Sequence, residues 1–496
     1  MRSGAEYLAG LNDGRCVLID GQPILNVLDH PATAPIARTI AKLYDFAADP
    51  ANDMIYTAPE TGREANTAFM TPRSTEDLKR RRDAHIKWAG LTNGFVGRSP
   101  DHVPSTIAAM AAHRNIFDEQ GERFGDNITR FYQRVLDESL YLAYVIIPPQ
   151  VSRDTIASGW GEDFLQLGVV SSNDEGITVR GSAMLATSGA VADELFVSCI
   201  KPLKAEDKDF AVSFAIPMAA AGLKLLERRP YAPTATSVYD YPLTTQFDET
   251  DAFAIFEDVF VPWDRVFVDR NPDVLNRSFQ ESGAHVFANW QAQARLSVKL
   301  DFILGIAHRI ASMNKVDKFP GVVEKLGELA SLASSVTASL HAAEYDAIVD
   351  AQSFAVPSRP AVYGQVARQA ELYPRVIGII RDLCGGGVLQ VPSGLADMRS
   401  DITRPDIDKY VVSPGVPAED RIKLFKLAWD VIGSEFAGRH QQYEMFYNGA
   451  PFLTKMWAYQ QYDYATATKR VDDFLAQYDL DTPITKSIEM AGAVLP

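Results

Sequence analysis

The sequence predicts an α+β fold in which strands form a central block between two blocks of helices. The spacing of apolar residues changes from a helical period to a period of two near residue 150, and it returns to a helical period near residue 283. Segment 239–267 gives the clearest strand signal, because alternating apolar residues follow a charged loop in a half of the chain that is otherwise helical. We therefore expect a β-domain inserted between two helical domains.

The N-terminal block, residues 1–145, is predicted to be mainly helical. Apolar residues recur at helical spacing in 36–47 and 128–142, and the polar segment 52–73 between them is expected to form a loop with a short hairpin. The prolines at 148–149 have no backbone N–H to donate, so we expect them to stop the last helix of this block.

The central block, residues 146–275, contains six candidate strands separated by short polar turns. These strands are 165–171, 176–181, 194–200, 210–216, 223–227 and 251–261. Short strands at such spacing are typical of a compact β-barrel or sandwich.

The C-terminal block, residues 276–496, is predicted to form a helical bundle followed by a tail. Four segments carry the helical period over long distances: 291–315, 319–353, 361–383 and 418–447. The alanine-rich stretch 328–344 suits close packing in an antiparallel bundle. Three glycines at 385–387 follow a helix, which indicates a helix end and not a phosphate-binding loop.

Composition and charge narrow the classes of function. The 496 residues carry a formal net charge of −16 at pH 7, so we expect no nucleic acid partner held by bulk electrostatics. The one basic run, 79–82, follows a helix-capping pattern at 74–77, and we expect it on a solvated helix face. Cys16, Cys199 and Cys384 are too far apart to suggest a disulfide framework or a metal site. No apolar stretch has the length of a signal peptide or a membrane span, which predicts a cytoplasmic protein without a membrane partner.

The short motifs in the sequence do not identify a reaction. The sequence has no glycine-rich dinucleotide fingerprint after a strand, no P-loop, no Gly-x-Ser-x-Gly elbow and no HExxH pair. Arg98 and His102 lie four residues apart, and the residues alone fit either a functional pair or a structural ion pair and a core histidine. Segment 434–449 likewise fits either a site element or a helix end with a turn at Asn448–Gly449.

Several segments, in their order along the chain, resemble the 4-hydroxyphenylacetate 3-hydroxylase family, the oxygenase component of two-component FADH2-dependent aromatic monooxygenases. They are GAEYLAGLNDGRCVLIDGQ at 4–22, GFVGRSPD at 94–101, YDYPLTTQFDE at 239–249, FVPWDRV at 260–266, RLSVKLDF at 295–302 and WDVIGSEFAGRHQQYE at 429–444. The resemblance implies an acyl-CoA dehydrogenase-like fold with an N-terminal helical domain, a central β-barrel and a C-terminal four-helix bundle. It also implies a homotetramer.

The resemblance implies a mechanism as well. A separate NAD(P)H:flavin reductase would supply reduced FAD (FADH2), which reacts with the cosubstrate O2 to give a C4a-hydroperoxyflavin. This species would hydroxylate a phenolic or related small aromatic substrate. The cofactor carries the oxygen chemistry, whereas the protein positions the ring and excludes water. We expect no metal, because the cysteines are widely scattered.

Site residues follow from the resemblance, position by position. Arg98 matches a family arginine near the flavin and the substrate, and it forms the expected catalytic set together with His102 and Tyr144. Ser198 and Cys199 are expected as further substrate contacts. The family commonly has a tyrosine where this chain has His102 and a histidine where it has Tyr144. This exchange either preserves both groups on swapped elements or signals a substrate other than 4-hydroxyphenylacetate, and we favour the second interpretation.

The resemblance also implies a set of flavin contacts from several parts of the chain. They are Tyr144, Val145, Ile146, Ile147, Gln150, Val151, Ser152, Arg153, Thr187, Tyr447, Asn448 and Gly449. The Thr187 hydroxyl is expected near the flavin N5 atom or the carbonyl beside it. Loop 233–245 is expected to act as a lid over the substrate.

Two alternative functions are weighed against this one. A flavin-dependent dehydrogenase or dehydratase on the same scaffold is disfavoured, because the scattered cysteines cannot hold an iron–sulfur cluster and no residue can be assigned as a catalytic carboxylate or a CoA site. In particular, Ala292 stands seven residues after His285, where such a dehydratase requires a cysteine. A noncatalytic relative is disfavoured because Arg98, Thr187 and the segment 433–440 remain in place.

Overall fold

The structure is a computed structural model that describes residues 1–152, 157–160 and 164–484, and the statements below concern these residues. Its N-terminal region is mainly helical, as predicted, and the hairpin expected within 52–73 is present. The elements are α1 (Gly4–Gly10), β1 (Val17–Ile19), β2 (Gln22–Pro23), α2 (Ala34–Ala48), β3 (Ile55–Thr57), β4 (Glu64–Asn66), α3 (Thr75–Leu91), α4 (His102–Ala112), α5 (Arg114–Asp118) and α6 (Glu122–Glu138).

The basic run on α3 lies on a solvated face only in part, because Lys79 and Arg80 are exposed whereas the third residue of the run is buried. Ser74 does cap the helix, since its Oγ accepts a hydrogen bond from the Asp77 backbone N–H at 3.1 Å. Arg81, however, is completely buried, and it donates to the Ser105 hydroxyl and to the Met70 carbonyl oxygen. A capping pattern marks a helix start, but it cannot show which of four consecutive cations faces inward.

The last N-terminal helix ends earlier than predicted, and a strand follows it. α6 stops at Glu138, and Ser139 takes a left-handed conformation with φ of 48°. Strand β5 (Leu142–Val145) comes next and pairs in parallel with a central strand. The apolar pattern of 128–142 therefore merges two elements, and the prolines at 148–149 follow a strand instead of stopping a helix.

The six predicted central strands are all present, and they contribute to two sheets. The central elements are β6 (Gly168–Ser172), β7 (Gly176–Thr187), β8 (Glu194–Val197), β9 (Val212–Pro217), β10 (Leu223–Glu227), α7 (Thr244–Phe247), β11 (Asp251–Pro262) and β12 (Val266–Asp269). One sheet has the order β2-β1-β10-β11-β7-β6, and the other has the order β12-β9-β8-β5. Strand β11 is one continuous element, with a register shift between Phe256 and Val259 that interrupts its alternation.

The two sheets meet beside the segment that follows β5. Ile147 forms an isolated bridge with Met184 of β7, which links the smaller sheet to the larger one. Phe214 of β9 and Phe256 of β11 contact edge to face, with 6.2 Å between their ring centroids. Residues just after β5 therefore lie at the junction of the sheets.

Glu227 is a buried carboxyl group of the larger sheet that makes stability depend on pH. It ends β10 opposite Ala252 of β11, and burial raises its pKa from 4.5 to about 8. The unfolded chain releases this proton near its ordinary pKa. The stability contributed by the neutral group is therefore complete below that pKa, and it is lost as the pH rises through the folded-state pKa.

Because glutamine mimics the neutral carboxyl group, we expect Glu227→Gln to gain stability over the wild type as the pH rises. The difference in the free energy of unfolding should grow by about 1.4 kcal/mol per pH unit between the two pKa values and then level off. Urea unfolding at pH 6, 7, 8 and 9 measures it. Glu257→Gln, at an exposed position of β11, is the control. A difference that does not vary with pH would contradict the prediction.

The C-terminal region is a bundle of long helices, as predicted. In chain order the elements are α8 (Pro272–Glu281), α9 (Ala284–Met313), α10 (Pro320–Tyr345), β13 (Ile348–Val349), β14 (Ala355–Val356), α11 (Arg359–Cys384), α12 (Leu395–Arg399), α13 (Arg404–Tyr410), α14 (Ala418–Ile432), α15 (Glu435–Phe446), α16 (Pro451–Gln461) and α17 (Tyr464–Leu475). The four members of the bundle are α9, α10, α11 and the consecutive pair α14–α15.

Two of the predicted long helices are interrupted. The helix expected over 319–353 ends at Tyr345, because the β13–β14 hairpin follows it. The helix expected over 418–447 is divided at Gly433, where a Cβ atom would lie 2.5 Å from the Trp429 ring. Ser434 then starts α15, since its Oγ accepts a hydrogen bond from the backbone N–H three residues on.

The last two helices expose aromatic side chains. Phe452 and Tyr459 of α16 are 71% and 64% exposed, and Phe474 of α17 is 49% exposed. A surface with this many exposed rings is typical of a region that another chain covers. Within the described ranges, no helix combines the length and apolarity that crossing a membrane requires.

Candidate active site

Arg98 lies in a buried cage formed by three tyrosine rings. Its guanidinium carbon is 5.1 Å from the ring centroid of Tyr144, 5.3 Å from that of Tyr443 and 5.4 Å from that of Tyr447. Burial by itself opposes the charge, but the surrounding tyrosines and Glu249 raise the pKa of Arg98 above its usual value. The cage therefore holds a permanent cation away from bulk water.

His102, the first residue of α4, is held through both of its ring nitrogens. Arg98 Nη1 lies 2.7 Å from His102 Nε2, and Gln291 Oε1 lies 2.8 Å from His102 Nδ1. A guanidinium can only donate, so Nε2 accepts and Nδ1 carries the hydrogen. Burial, and then the positive charge of Arg98, lower the pKa of His102 well below its usual value. The ring is therefore a neutral imidazole.

Tyr144 of β5 completes the group of residues predicted as catalytic. Its ring stacks on that of His102, with 5.8 Å between the centroids and 28° between the planes. The structure thus brings Arg98, His102 and Tyr144 together, although they come from a loop, a helix and a strand. Their catalytic role stays a prediction.

The loop that carries Arg98 is held by a carboxylate that the sequence analysis does not single out. Glu249 lies just before β11 and accepts the backbone N–H groups of Gly97 and Arg98, each at 2.7 Å. Arg439 of α15 donates to the same carboxylate at 3.2 Å. Close packing also fixes this loop, because a Cβ atom on Gly97 would lie 2.6 Å from the ring of Tyr443. Glu249 thus joins the N-terminal loop, the central sheet and the bundle.

A second buried carboxylate, Glu444 of α15, compensates two buried cations. Arg295 donates to it twice, at 2.7 and 2.8 Å, and Lys299 Nζ donates to it at 2.9 Å. Burial disfavours the carboxylate, yet the two cations hold the pKa of Glu444 at about 2. Burial also lowers the pKa of Lys299 to about 8, although Glu444 opposes this shift. The same guanidinium of Arg295 lies 5.5 Å from the Tyr443 ring, so the cluster supports the cage.

Thr187 is connected to this network at the end of β7. Its hydroxyl donates to Asp251 Oδ1 at 2.7 Å, and Arg228 and Arg439 bind the same carboxylate at 2.8 Å. The hydroxyl hydrogen is therefore committed to Asp251, and only the lone pairs of Thr187 remain to accept a hydrogen bond from a ligand.

Ser198 and Cys199 follow β8, next to the chain that leaves β5. The Ser198 backbone N–H donates to the Val145 carbonyl at 3.1 Å, and among the described residues its buried hydroxyl has no partner. Cys199 lines a small cavity together with Ile147 and Ser182. Burial raises the pKa of the Cys199 thiol to about 11, so Cys199 forms a wall of this cavity and is not a nucleophile at neutral pH.

The remaining predicted flavin contacts differ in how the structure places them. The carbonyl oxygens of residues 145–147 accept hydrogen bonds from backbone N–H groups of the neighbouring β-segments. Residues 150–151 are exposed and Ser152 is half-buried, whereas Arg153 lies outside the described residues. Their contact with a flavin stays a prediction.

The turn after α15 brings Tyr447, Asn448 and Gly449 to the cage. The Tyr447 carbonyl oxygen lies 3.5 Å from Arg98 Nη2, and Gly449 has φ of 112°, which favours glycine. Within the described ranges, the buried Asn448 Nδ2 atom has no hydrogen-bond partner. An unsatisfied buried amide beside the cage is a position that a polar ligand would complete.

Segment 233–245, the predicted lid, is tied to the bundle. Asp430 of α14 accepts the backbone N–H groups of Leu243 and Thr244, at 2.8 and 2.9 Å. Tyr239 donates to the Glu419 carbonyl oxygen at 2.9 Å. The lid role stays a prediction, and these contacts are the ones that any opening would have to break.

Sequence comparison identifies the family. A family model described as 4-hydroxyphenylacetate 3-hydroxylase N terminal matches residues 3–268, and one described as 4-hydroxyphenylacetate 3-hydroxylase C terminal matches residues 275–476. The chain belongs to the 4-hydroxyphenylacetate 3-hydroxylase family. The resemblance inferred from the sequence is therefore confirmed.

Curated relatives of this 4-hydroxyphenylacetate 3-hydroxylase family member are similar over almost its whole length. The 4-hydroxyphenylacetate 3-monooxygenase oxygenase component of Thermus thermophilus is 32% identical, with 96% of this chain and 98% of the relative covered. The 4-nitrophenol 2-monooxygenase oxygenase component of a Rhodococcus species is also 32% identical, with 97% of this chain and 93% of the relative covered. The two relatives are named for different phenols, 4-hydroxyphenylacetate and 4-nitrophenol.

Solved structures of the family share the architecture. The oxygenase component of 4-hydroxyphenylacetate 3-monooxygenase, complexed with FAD and 4-hydroxyphenylacetate, matches with a TM-score of 0.91 and 31% identity over 96% of this chain and 98% of that chain. An archaeal 4-hydroxybutyryl-CoA dehydratase matches with a TM-score of 0.87, but its 20% identity shows the fold alone. The expected order of helical, β and helical regions is confirmed.

Several residues of the site are absent from the sequence-based set. Glu249, Arg439 and Tyr443 fall inside segments that carry the family resemblance, so polar residues within those segments were a usable signal. Gln291 lies outside the quoted segments, and nothing in the sequence marks it. No group of three or more histidine, cysteine or acidic side chains in the described part of the chain is arranged to hold a metal ion.

Proposed function

We propose that this protein is the oxygenase component of a two-component flavin-dependent aromatic monooxygenase, which uses FADH2 and O2 to hydroxylate a phenolic or related substrate. The observation that carries the proposal is the buried group of Arg98, His102 and Tyr144 in a chain of this family. A permanent cation and a neutral imidazole acceptor beside aromatic rings suit the oxygen of a phenol or phenolate. Similarity to a relative solved with FAD and 4-hydroxyphenylacetate supports the classes of cofactor and substrate.

The residues near the cage fit a flavin. Asn448 offers an amide group without a partner in the described structure, and Thr187 keeps lone pairs that can accept from the N5–H of a reduced flavin. The proposed flavin-binding residues are Tyr144, Val145, Ile146, Ile147, Gln150, Val151, Ser152, Arg153, Thr187, Tyr447, Asn448 and Gly449. When bound, reduced FAD would activate O2 and supply one oxygen atom to the aromatic ring.

The side chains of the cage would bind and activate the substrate. Arg98 would donate a charge-assisted hydrogen bond to the phenol oxygen, which favours the phenolate. His102 Nε2 accepts from Arg98 in the structure, and once Arg98 turns to the phenol oxygen, Nε2 can accept a hydrogen bond from the phenol O–H, while Gln291 continues to accept from Nδ1–H. Because Arg98 favours the phenolate, the ortho carbon becomes richer in electrons than in the phenol, which prepares the ring for oxygenation. Ser198 and Cys199 would line the substrate pocket.

We further propose a ring other than 4-hydroxyphenylacetate as the preferred substrate. The family pattern of tyrosine and histidine is exchanged at His102 and Tyr144, and the two rings stack on each other in this chain. The imidazole therefore approaches the substrate oxygen from a helix and not from a strand. Such a change alters the space available around the ring.

The test is a substrate panel with the wild-type protein, chemically reduced FAD and O2, without a reductase. The panel contains 4-hydroxyphenylacetate, 4-nitrophenol, a chlorophenol, 4-hydroxycinnamate and an aminophenol, and mass spectrometry detects products heavier by one oxygen atom. We expect hydroxylation of at least one phenol, with 4-hydroxyphenylacetate not the best. If every ring leaves hydrogen peroxide as the sole oxygen product, the proposed function is wrong.

We also propose a cytoplasmic homotetramer that receives FADH2 from a separate NAD(P)H:flavin reductase, with domains at 1–145, 146–275 and 276–496. The exposed aromatic side chains on α16 and α17 support an interface between copies. Analytical ultracentrifugation distinguishes a tetramer from the 54.6-kDa monomer. A sedimenting monomer at micromolar concentration would contradict the assembly.

A further inference from the structure

Asp101 is a buried carboxylate that accepts hydrogen bonds from two sides. It directly precedes His102 and is 1% exposed. On one side, Arg81 Nε lies 3.2 Å from His85 Nε2, and His85 Nδ1 lies 2.5 Å from Asp101 Oδ2. Arginine can only donate, so His85 accepts on Nε2 and donates from Nδ1 to the carboxylate. Burial opposes ionisation, but His85 and further hydrogen bonds hold the pKa of Asp101 below its usual value.

On the other side, Gln291 of α9 joins the same carboxylate to His102. A hydrogen bond from its side chain is among the interactions that lower the pKa of Asp101, and its Oε1 lies 2.8 Å from His102 Nδ1. An ionised carboxylate can only accept, so the amide must turn its NH2 group toward Asp101 and its oxygen toward His102. Gln291 is 1% exposed, so solvent does not compete for either group.

The direction of these bonds decides the tautomer of His102. A neutral imidazole carries its hydrogen on either Nδ1 or Nε2. With the hydrogen on Nε2, the ring would point an N–H group at the Arg98 guanidinium, which has no acceptor, and Nδ1 would meet the Gln291 oxygen without a hydrogen between them. In a buried site both contacts are unfavourable.

We infer that Asp101 and Gln291 are positioning residues that keep His102 in the Nδ1–H tautomer, so that its Nε2 lone pair faces Arg98 and an incoming phenol oxygen. The inference deepens the proposed function and rests on it for the identity of the substrate oxygen. The donor sequence runs from Arg98 to His102, from His102 to Gln291 and from Gln291 to Asp101. When Arg98 turns from Nε2 to donate to the oxygen of a bound phenol, the phenol O–H can take its place and donate to Nε2.

The tautomer can be measured without flavin or substrate, in the full-length protein labelled with 15N-histidine. Magic-angle-spinning NMR separates protonated from unprotonated ring nitrogens, and the signals lost in His102→Phe identify those of His102. In the wild type we expect a protonated Nδ1 and an unprotonated Nε2. In Gln291→Met, whose side chain has similar length but no amide, Arg98 still faces Nε2 but Nδ1–H loses its acceptor, so we expect the wild-type tautomer to lose part of its population and a mixture of the two to appear.

Gln293→Met is the matched control. Gln293 lies two residues further along α9 and is completely buried, but its amide donates to the Val362 carbonyl oxygen at 3.0 Å. This variant should keep the wild-type signals of His102. If Gln291→Met does not fold, Asp101→Asn is the second variant, because an asparagine amide allows Gln291 to turn over and should give the same mixture. Wild-type signals in the tested variant, or a protonated Nε2 in the wild type, would overturn the inference.

A functional measurement separates this inference from the proposed function. With a phenol that the wild type hydroxylates, Gln291→Met should lower the fraction of consumed O2 recovered as hydroxylated product by on the order of 10-fold, because a displaced imidazole no longer orients the ring. Gln293→Met should match the wild type. If no phenol is hydroxylated while the tautomer result holds, the proposed function fails and the positioning stands. If the wild type hydroxylates a phenol, but Gln291→Met and Gln293→Met show the same His102 tautomer and the same product yield, the positioning role is wrong and the proposed function stands.

Discussion

Replacement of Arg98 by alanine is expected to remove nearly all productive hydroxylation and to leave the fold intact. The variant loses the cation at the centre of the cage, and with it the donor that faces His102 Nε2. The backbone N–H of residue 98 keeps its hydrogen bond to Glu249, so the loop stays in place. Removal of one charge-stabilising donor typically costs 100- to 1,000-fold, and we expect product per consumed O2 to fall roughly 100-fold. Product mass and hydrogen peroxide are measured in the same reaction.

Two further variants control this experiment. Arg98→Lys keeps the charge but lacks the planar fork of the guanidinium, so it should retain an intermediate yield. Arg375→Ala removes an arginine that is 58% exposed and paired with Glu328, and it should match the wild type. If the ratio of product to peroxide in Arg98→Ala equals that of the wild type, Arg98 has no part in the mechanism.

Glu444→Gln is expected to cause the largest loss of stability. Glutamine cannot balance the charges of Arg295 and Lys299, which are at most 1% exposed. Lys299 has a pKa of about 8 and can release its proton, whereas an arginine stays charged. Removing one partner of a buried ion pair typically costs about 3–5 kcal/mol, and we expect a loss of this size. Urea unfolding at pH 7 measures it.

The matched control is Glu371→Gln on α11. It removes an ion pair with Lys455 in which the carboxylate and ammonium side chains are 72% and 58% exposed. Exposed pairs contribute about 0–1 kcal/mol, so this variant should unfold close to the wild type. Equal losses in the two variants would show that the buried cluster tolerates an unpaired cation.

The large divisions of the fold were predictable, because long helices and alternating strands impose strong apolar periods on the sequence. The errors fall where one residue changes the direction of the chain. Ser139 ends α6 through a left-handed backbone conformation, and Gly433 ends α14 by leaving the helical backbone conformation, with φ of −134°. Neither cause changes the apolar spacing, so the spacing alone predicts a helix that continues past both residues.

The site was predictable only where the family resemblance supplied it. Arg98, His102 and Tyr144 were expected, and they do lie together. Their supports were not expected, because Glu249 and Gln291 act across more than 150 residues of sequence, on backbone N–H groups and on an imidazole. Such contacts depend on how the blocks pack, which a local pattern does not contain.

Glu249 has a consequence for how the molecule matures. It accepts hydrogen bonds from the backbone of residues 97–98 in the N-terminal region and from Arg439 in the bundle. The pocket is therefore complete only when the three regions have packed together. A folding intermediate whose regions are formed but undocked cannot recognise an aromatic ligand. Conversely, a ligand that fills the cage binds only the docked arrangement, and mass action then favours docking. Variants with weakened contacts between regions are therefore the ones whose yield in the cell would depend most on the supply of ligand.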